Sequence, residues 1–474
     1  MIKGHKVAAS KDNPEYLVKS STGKQAAHKP SSLLIVGGGP AGMLAGLLFA
    51  RAGVPVRVLE KHADFFRDFR GDTVHPSTME ILDQLGLLGR FLTRPHNRLY
   101  EVRGTIDGTE YVLGDLSHLD TPAPFIAMMP QWDFLNFLRD EADVYPGFSL
   151  EMNAPVAGFI QEQDRVTGVR LVDGRELRAT LTIAADGRSS LARELLPVRN
   201  LGAPMDVFWF RVPKPPGAGF ALRGIVAPGT LMALIDRGDY WQCAYIFAKG
   251  MGERLRKDGI DALRSRIERV APILGRLDDV LTDMDQMHLL TVELDRLTCW
   301  HRPGLLAIGD AAHAMSPAGG IGINLAIQDA VAAANVLAGP MAGGLDPDPL
   351  VHKVQKRRQF PTRVVQAAQT MGAPDAGHCG GVGSQMLGQS AGAPVSRACG
   401  SLRERDAHHR FDVGGFAGRA RAPRRAASCN RPSTPATRKR ARQRAATRRS
   451  VNSFWAMSLS DMPLAASSTM RVRI

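Results

Sequence analysis

Residues 33–53 read "LLIVGGGPAGMLAGLLFARAG", and this stretch decides the fold. Four apolar residues predict a short buried strand, three glycines predict a turn, and the apolar run after Pro40 predicts a buried helix. Residues 54–61, "VPVRVLEK", predict a second strand. Strand, turn, helix and strand in this order predict a βαβ unit of the α/β class, in which the two strands are parallel.

The glycine turn carries the pattern Gly37-x-Gly39-x-x-Gly42. In such a turn the first glycine permits the tight bend, the second lets a pyrophosphate approach the backbone, and the third lets the helix pack close to the strand. Glu60 ends the second predicted strand, where a carboxylate accepts hydrogen bonds from a ribose. The combination predicts a Rossmann-type dinucleotide site.

A second informative stretch, residues 309–330, reads "GDAAHAMSPAGGIGINLAIQDA". Asp310 ends a predicted buried strand, a position that suits a ribityl hydroxyl; the alternative is an ordinary strand–turn–helix that Asp310 caps. The segment from Pro317 to Asn324 offers backbone N–H groups at a helix start, where the edge of a reduced isoalloxazine carries negative charge. A dinucleotide whose second half is long, as the flavin half of FAD is, needs a second binding segment far along the chain from the glycine turn. The pattern therefore favours FAD.

These motifs resemble the class A FAD-dependent monooxygenases, the aromatic hydroxylase family typified by para-hydroxybenzoate hydroxylase. "VGGGPAGMLAGLLFARAGVPVRVLEK", "AADGRSSLAR" and "GDAAHAMSPAGGIGINLAIQDA" are similar to its three signature regions, in the same order and with similar spacing, over about residues 32–371. The resemblance implies that NADPH or NADH reduces FAD and that O₂ forms a flavin hydroperoxide. One oxygen atom then passes to an aromatic or polycyclic small molecule.

The resemblance also implies which residues bind FAD. The first group surrounds the glycine turn and the second strand: Gly37, Gly39, Ala41, Gly42, Glu60 and Lys61. The second group lies near the phosphates, ribose or ring: Arg70 in "FRGD", Gln131 in "MPQWDFL" and Asp186, which resembles a residue that contacts both FAD and NAD(P)H. The third group lies along the ribityl chain and the pyrimidine edge: Gly309, Asp310, Gly320, Gly322, Ile323 and Asn324.

Several of these residues have ordinary alternatives. Arg70 also fits a surface ion pair, Gln131 a helix cap or a solvent-facing position, and Asp186 a simple turn. Pro317 resembles the proline that borders the flavin ring and is the one candidate catalytic residue. His313, beside the flavin loop, fits a structural role better than a catalytic one.

The chain divides into four regions by composition and pattern. We expect a flexible leader over residues 1–31, a discontinuous FAD-binding domain over 32–200 and 298–371, and a substrate domain with an antiparallel sheet over 201–297. The strand-like runs "DVFWFRVP", "TLMALID" and "YWQCAYIFA" predict that sheet. Its aromatic residues suit an aromatic substrate, with the hydrophobic core as the alternative for each: Phe208, Trp209, Phe210, Trp241 and Tyr245.

The fourth region, residues 372–474, is a basic tail. From Arg397 onward 18 Lys and Arg stand against 4 Asp and Glu, which equals the net charge of +14 for the whole chain. Arg, Ala, Pro, Gly and Ser dominate there, a composition that predicts disorder. The same composition fits an out-of-frame reading of a GC-rich gene, which the other two frames of the coding DNA would reveal.

Other classes of protein fit less well. The five cysteines form no metal-binding or redox pair, and with no apolar signal region they predict reduced thiols in a cytoplasmic protein without metal. Residues 31–50 are apolar, but their glycines and proline argue against a membrane span. The tail lacks any nucleic-acid recognition module, which leaves nucleic-acid binding a remote alternative. The nearer alternative is an FAD-dependent reductase or dehydrogenase, and no feature specifies an oligomeric state.

Overall fold

The structure, a computed structural model, describes residues 4–7, 15–19, 25–28, 31–66, 73–106, 108–215 and 222–371 of the 474-residue chain. Arg70 and the whole of the predicted tail, residues 372–474, lie outside the described residues. The predictions made for them therefore stay predictions.

A six-stranded sheet forms the centre of the α/β part. Its strands pair in parallel, apart from an antiparallel pair at one edge. The central strands are buried along their whole length and apolar except for Thr182, as expected for a parallel sheet covered on both faces. In spatial order the strands are β11 (Phe148–Glu151), β5 (Val56–Leu59), β4 (Leu33–Val36), β15 (Leu181–Ala184), β24 (Leu305–Ala307) and β23 (His301–Arg302).

The helices of the described residues include two that are apolar almost all round. These two, the first and the seventh, pack on each other in the main hydrophobic core. The seventh is also long and apolar enough to span a membrane, yet 67% of its most apolar window is buried inside the protein, as in a core helix. The helices are α1 (Pro40–Arg51), α2 (Pro76–Gln84), α3 (Leu88–Phe91), α4 (Gln131–Ala142), α5 (Ala192–Leu195), α6 (Gly252–Val270), α7 (Gly322–Ala342) and α8 (Asp348–Met371).

A seven-stranded sheet forms the second layer, and one of its faces packs against α6. The expected antiparallel sheet of residues 201–297 is present, but two of its strands come from residues 101–115, and one pair is parallel. The sheet is thus discontinuous in sequence, because the hairpin of residues 101–115 pairs with an edge of the part that residues 201–297 form. In spatial order the strands are β21 (His288–Leu290), β17 (Met205–Pro213), β20 (Tyr240–Ala248), β19 (Thr230–Asp236), β18 (Leu222–Ala227), β8 (Glu101–Ile106) and β9 (Thr109–Asp115).

Smaller sheets complete the fold. A hairpin turn at Asp173 and Gly174 joins the second and third strands of a meander on the central sheet. The first small sheet lies within residues 1–31: three short segments, one of them the β-favouring "EYLVK", pair there as antiparallel strands. The sheets are β1 (Gly4–Val7), β2 (Glu15–Lys19) and β3 (Gln25–His28); β6 (Thr73–Val74), β10 (Ile126–Met128) and β7 (Asn97–Leu99); β12 (Val156–Glu162), β13 (Arg165–Leu171) and β14 (Glu176–Arg178); and β16 (Val198–Asn200), β22 (Asp295–Leu297) and β25 (His313–Ala314).

Candidate functional site

Four parallel strands of the central sheet end at one edge, and each is followed by a residue of the predicted site. Gly37 follows β4, Glu60 follows β5, Asp186 lies just after β15, and Asp310 lies just after β24. The carboxyl edge of a parallel sheet is where ligands bind in open α/β folds. Residues that are 273 positions apart in sequence, from 37 to 310, are therefore gathered at one edge.

The glycine turn is packed tightly at its two ends and open in its middle. Gly37 has a φ of +104°, and a Cβ there would lie 2.4 Å from the carbonyl oxygen of Ala185. A Cβ on Gly42 would lie 1.9 Å from the carbonyl oxygen of Gly37, whereas one on Gly39 would meet nothing within 4 Å. Helix α1 starts directly after Gly39 without a side-chain cap. Its positive N-terminus thus opens onto free space, which fits a pyrophosphate.

Glu60 is buried beside this turn and holds it in place. Its Oε2 accepts a hydrogen bond from the backbone N–H of Gly38 at 2.9 Å, and its Oε1 accepts one from that of His62 at 3.0 Å. Lys61, the next residue, is exposed. The carboxylate fixes the turn at the point where the sequence predicts a ribose.

Asp186 has a carboxylate oxygen that no described residue binds. Its Oδ2 accepts a hydrogen bond from the backbone N–H of Leu191 at 3.1 Å, while its Oδ1 is buried without a partner. Burial raises the pKa of Asp186, and hydrogen bonds from the Ser190 side chain and from the backbone, with a smaller contribution from the charge of Lys61, partly offset this shift. An unpaired buried oxygen is costly unless a ligand binds it, so this atom together with the open space at Gly39 fits the predicted FAD.

Asp310 is held by two arginines that sequence reasoning missed. The Nε of Arg188 lies 3.4 Å from Oδ2 of Asp310, and its other nitrogen donates to the carbonyl oxygen of Met315 at 2.7 Å. Arg193 donates to the carbonyl oxygen of Asp310 at 2.8 Å and forms two hydrogen bonds with Asp295. Both arginines belong to "ADGRSSLAR", and their place in this motif was the available signal. They tie the β15 and β24 ends of the site together.

Asn324 joins the predicted flavin loop to the segment that follows the undescribed residues 67–72. Its Oδ1 accepts hydrogen bonds from the backbone N–H of His75 at 3.0 Å and the hydroxyl of Thr78 at 2.8 Å. Its Nδ2 donates to the carbonyl oxygens of Thr73 and Gly320, both at 3.3 Å. The amide thus positions the loop.

The other residues predicted for this loop stand at the start of α7. Pro317 precedes a short 3-10 turn, and Gly322 and Ile323 begin the helix half-buried. No side chain caps the helix. Gly309 lies between the two apolar helices: a Cβ there would approach Ala326 at 3.2 Å and Ala41 at 3.3 Å. This contact brings the N-terminal parts of α1 and α7 together on one edge.

His313 is fully buried, and its surroundings agree with the structural role that we expected. Its Nε2 lies 2.6 Å from Oδ2 of Asp329, and its ring packs beside Trp300. Asp329 also pairs with Arg358. The imidazole therefore sits inside a buried polar network behind the loop.

The aromatic residues of the seven-stranded sheet lie on two different faces. Phe208, Phe210, Trp241 and Tyr245 belong to the core cluster with α6, which confirms the core alternative for these four. Trp209 alternates with Phe208 and Phe210 along β17 and is half-buried on the opposite face. Met205, on the same face as Trp209, contacts Ser316, the residue before Pro317: its Sδ lies 4.0 Å from the serine hydroxyl. The face that carries Trp209 is thus the one that meets the flavin loop.

Gln131 is the first residue of α4 and is half-buried near a cavity that sequence reasoning did not predict. This cavity has a volume of about 430 Å³ and lies between α4 and the segment that follows Glu60. Its lining includes Phe65, Phe66, Trp132 and Arg139. The rings of Phe66 and Trp132 are in contact, with centroids 5.0 Å apart.

Two family profiles match the chain. The profile described as FAD binding domain matches residues 31–368, and that of the hypervirulence associated proteins TUDOR domain matches residues 1–33. The second match covers the segment in which β1, β2 and β3 form their small sheet. The first covers the central sheet, the glycine turn and the flavin loop.

Curated relatives and solved structures agree with the larger match. The chain is 32% identical to 6-methylpretetramide 4-monooxygenase of Streptomyces rimosus over 65% of its own length and 75% of that protein. It is 30% identical to rifampicin monooxygenase of Streptomyces venezuelae over 63% of its length and 62% of that protein. It shares the fold of Pseudomonas aeruginosa PqsL in complex with 2-aminobenzoylacetate, with 21% identity, a TM-score of 0.63, and coverage of 73% of this chain and 97% of that one.

Proposed function

Because the chain belongs to the FAD binding domain family and, within it, to the class A FAD-dependent monooxygenases, we propose that it hydroxylates an aromatic or polycyclic small molecule. The reaction consumes O₂ and NADPH or NADH. The observation that carries the proposal is the unpaired, buried Oδ1 of Asp186, a residue whose Cα borders Gly37 of the open turn. A dinucleotide supplies the partner that this oxygen lacks.

Each part of the site has a role toward the cofactor. The N-terminus of α1 would bind the pyrophosphate, Glu60 the adenosine ribose, and Asp310 the ribityl chain. The backbone dipoles at the start of α7, after Pro317, would favour negative charge on the ring. FAD bound here would supply reduction by NAD(P)H and activation of O₂. The protein positions the reactants and excludes water.

The face of the seven-stranded sheet that carries Trp209 forms the roof of the proposed substrate site. It meets the flavin loop through Met205 and Ser316, and its half-buried members are apolar. Trp209 offers a large flat surface for stacking against an aromatic ring. The named relatives act on 6-methylpretetramide and rifampicin, and by extension we propose a substrate of similar polycyclic or phenolic chemistry.

We also propose that the chain acts in the cytoplasm. In the described residues both cysteines are free thiols, as the reducing cytoplasm maintains them. The one helix in this part of the chain that is both long and apolar enough to span a membrane is mostly buried in the protein.

Isotope labelling tests the proposed reaction. The purified chain is loaded with FAD and incubated with NADPH or NADH, candidate phenols and ¹⁸O₂, and the products are analysed by mass spectrometry. One labelled oxygen atom in the product supports a monooxygenase. Consumption of NAD(P)H without labelled product supports the reductase or dehydrogenase instead, and failure to bind FAD overturns both.

A further inference from the structure

Helix α8 carries a row of polar side chains that are buried rather than exposed. Arg358, Thr362, Gln366 and Gln369 follow one another at helical spacing on one face, and each is at most 7% exposed. We call this set the α8 polar stripe. Buried polar groups are destabilising unless they are hydrogen-bonded, so their partners indicate what the stripe is for.

Gln369 holds the residue that precedes Pro317. Its Oε1 accepts a hydrogen bond from the backbone N–H of Ser316, and its Nε2 donates to the carbonyl oxygen of the same residue, both at 3.1 Å. One side-chain amide thus binds both backbone polar groups of one residue. The backbone at Ser316 cannot rotate without breaking these bonds.

Gln366 binds β25, the strand that ends two residues before Ser316. Its Nε2 donates to the carbonyl oxygens of Ala314 at 3.0 Å and Asp295 at 2.7 Å, and its Oε1 accepts from Arg296 at 3.0 Å. The amide therefore joins β25 to β22 and fixes both to α8.

Arg358 reaches the start of the same segment through Asp329. Its Nε donates to Oδ1 of Asp329 at 2.7 Å, while Oδ2 of Asp329 accepts from the backbone N–H of Gly309 at 3.0 Å. Burial alone would raise the pKa of Asp329, but the neighbouring His313 and Arg358 charges lower it. An ionised Asp329 then binds Gly309 with a charge-assisted hydrogen bond.

We infer that the α8 polar stripe positions residues 309–317 and thereby sets the affinity and environment of the flavin. The inference rests on the proposed function, which places the ribityl chain at Asp310 and the ring at Pro317. Gln366 binds this segment at Ala314, and Gln369 binds it at Ser316. Arg358 reaches Gly309 through Asp329. Thr362 instead donates to the carbonyl oxygen of Arg358 within α8, so the other three members are the positioning residues.

The same helix offers a matched control. Gln355 makes an equivalent pair of bonds: its Oε1 accepts from the backbone N–H of Trp300 at 3.0 Å, and its Nε2 donates to the carbonyl oxygen of Thr298 at 2.9 Å. That peptide segment lies outside residues 309–317. Gln→Met at either position removes two hydrogen bonds with little change in side-chain volume, so any loss specific to Gln369 reports on the flavin segment.

The experiment compares the full-length wild type with Gln369→Met and Gln355→Met. FAD affinity is measured by quenching of flavin fluorescence, the flavin environment by the visible spectrum of the bound cofactor, and stability by thermal unfolding of the apo chain. We expect Gln369→Met to bind FAD about tenfold more weakly and to shift the visible flavin bands. Gln355→Met should lose comparable stability and keep wild-type affinity and spectrum.

The outcomes separate the two proposals. If the wild type binds FAD and both Met variants match its affinity and spectrum, the positioning role is overturned while the proposed function stands. Equal losses in both variants overturn it as well, since they indicate a general structural effect. If the wild type does not bind FAD, both proposals fail. Should Gln369→Met not fold, Gln369→Leu and Gln355→Leu, which also remove both hydrogen bonds, provide the same comparison.

Discussion

Gly42 lies directly against Gly37: a Cβ at Gly42 would be 1.9 Å from the carbonyl oxygen of Gly37. Gly39, which lies between them in the turn, differs from both, because a Cβ there would have nothing within 4 Å. Its backbone is in the extended region, with φ of −72°, which any residue adopts. The glycine at position 39 is therefore not required by the protein itself, which points to a ligand as the reason for it.

The first prediction follows from this contrast. Gly39→Val should fold with near wild-type stability and bind FAD at least about 100-fold more weakly, since a difference of about 2.7 kcal/mol corresponds to that factor. Gly42→Val should instead lose roughly 1–3 kcal/mol of stability by overpacking. Flavin absorbance after gel filtration and thermal unfolding of both variants check this. Full flavin occupancy in Gly39→Val would count against the assigned phosphate site.

The second prediction concerns the unpaired oxygen of Asp186. Burial raises the pKa of this carboxyl group, so the folded state disfavours its charge, and Asp186→Asn should unfold at a slightly higher temperature at pH 7. The same variant should bind FAD about tenfold or more weakly, because a hydrogen bond to a charged group is worth roughly 1.5–3 kcal/mol.

Asp173→Asn is the control for Asp186→Asn. Asp173 lies in an exposed hairpin turn, where its side chain is 52% exposed, and its substitution should leave FAD binding unchanged. Calorimetric titration with FAD measures both affinities. A stabilised Asp186→Asn with undiminished FAD affinity would indicate that the free oxygen has no role in binding.

Local sequence signals predicted the centre of the fold and most of the candidate site. The glycine turn, the buried strands and α7 were identifiable because each depends on a contiguous pattern. The hairpin of β8 and β9 was not placed in the substrate sheet, since its pairing joins Arg103 to Arg223, 120 residues apart. Such register depends on tertiary packing, which no local pattern encodes.

The site residues that escaped prediction share a physical reason. Arg188 and Arg193 were missed because an arginine that follows a turn can equally well face solvent or form an ion pair elsewhere. Only the folded chain brings these two side chains to Asp310. For the sheet aromatics, alternation along β17 already separates Trp209 from Phe208 and Phe210. The position of α6 shows which of the two faces of the sheet belongs to the core, and the sequence pattern does not give that position.

The third prediction uses that alternation. Trp209→Ala should change kcat/KM and substrate preference by about tenfold or more, because removing an aromatic surface that stacks on the substrate costs at least about 1.4 kcal/mol. Its effect on stability should be small. Phe210→Ala, on the α6 face, should cost about 3–5 kcal/mol of stability and leave substrate preference unchanged in the folded fraction. Equal substrate profiles for wild type and Trp209→Ala would show that this face does not contact the substrate.

The fourth prediction concerns the pH dependence of stability. Burial lowers the pKa of His75 to about 4, and its Nε2 has no partner among the described residues. In the unfolded chain the pKa is about 6.5, so between these values the unfolded state binds more protons. The free energy of unfolding therefore rises with pH in this window. The contribution of the neutral His75 to the free energy of unfolding is fully present above about pH 6.5. Up to about 3 kcal/mol of this contribution is lost as the pH falls to about 4.

His75→Gln removes this contribution and keeps the bond between Asn324 and the backbone N–H at position 75, because that bond does not involve the imidazole. Denaturant unfolding of both proteins from about pH 4.5 to about pH 7.5 gives the difference in their free energies of unfolding. The contributions of the carboxyl groups that both proteins share cancel in this difference. We expect the free energy of unfolding of the wild type to decrease steadily relative to that of His75→Gln as the pH falls. Parallel curves for wild type and His75→Gln would mean that the imidazole titrates alike in the folded and unfolded chain.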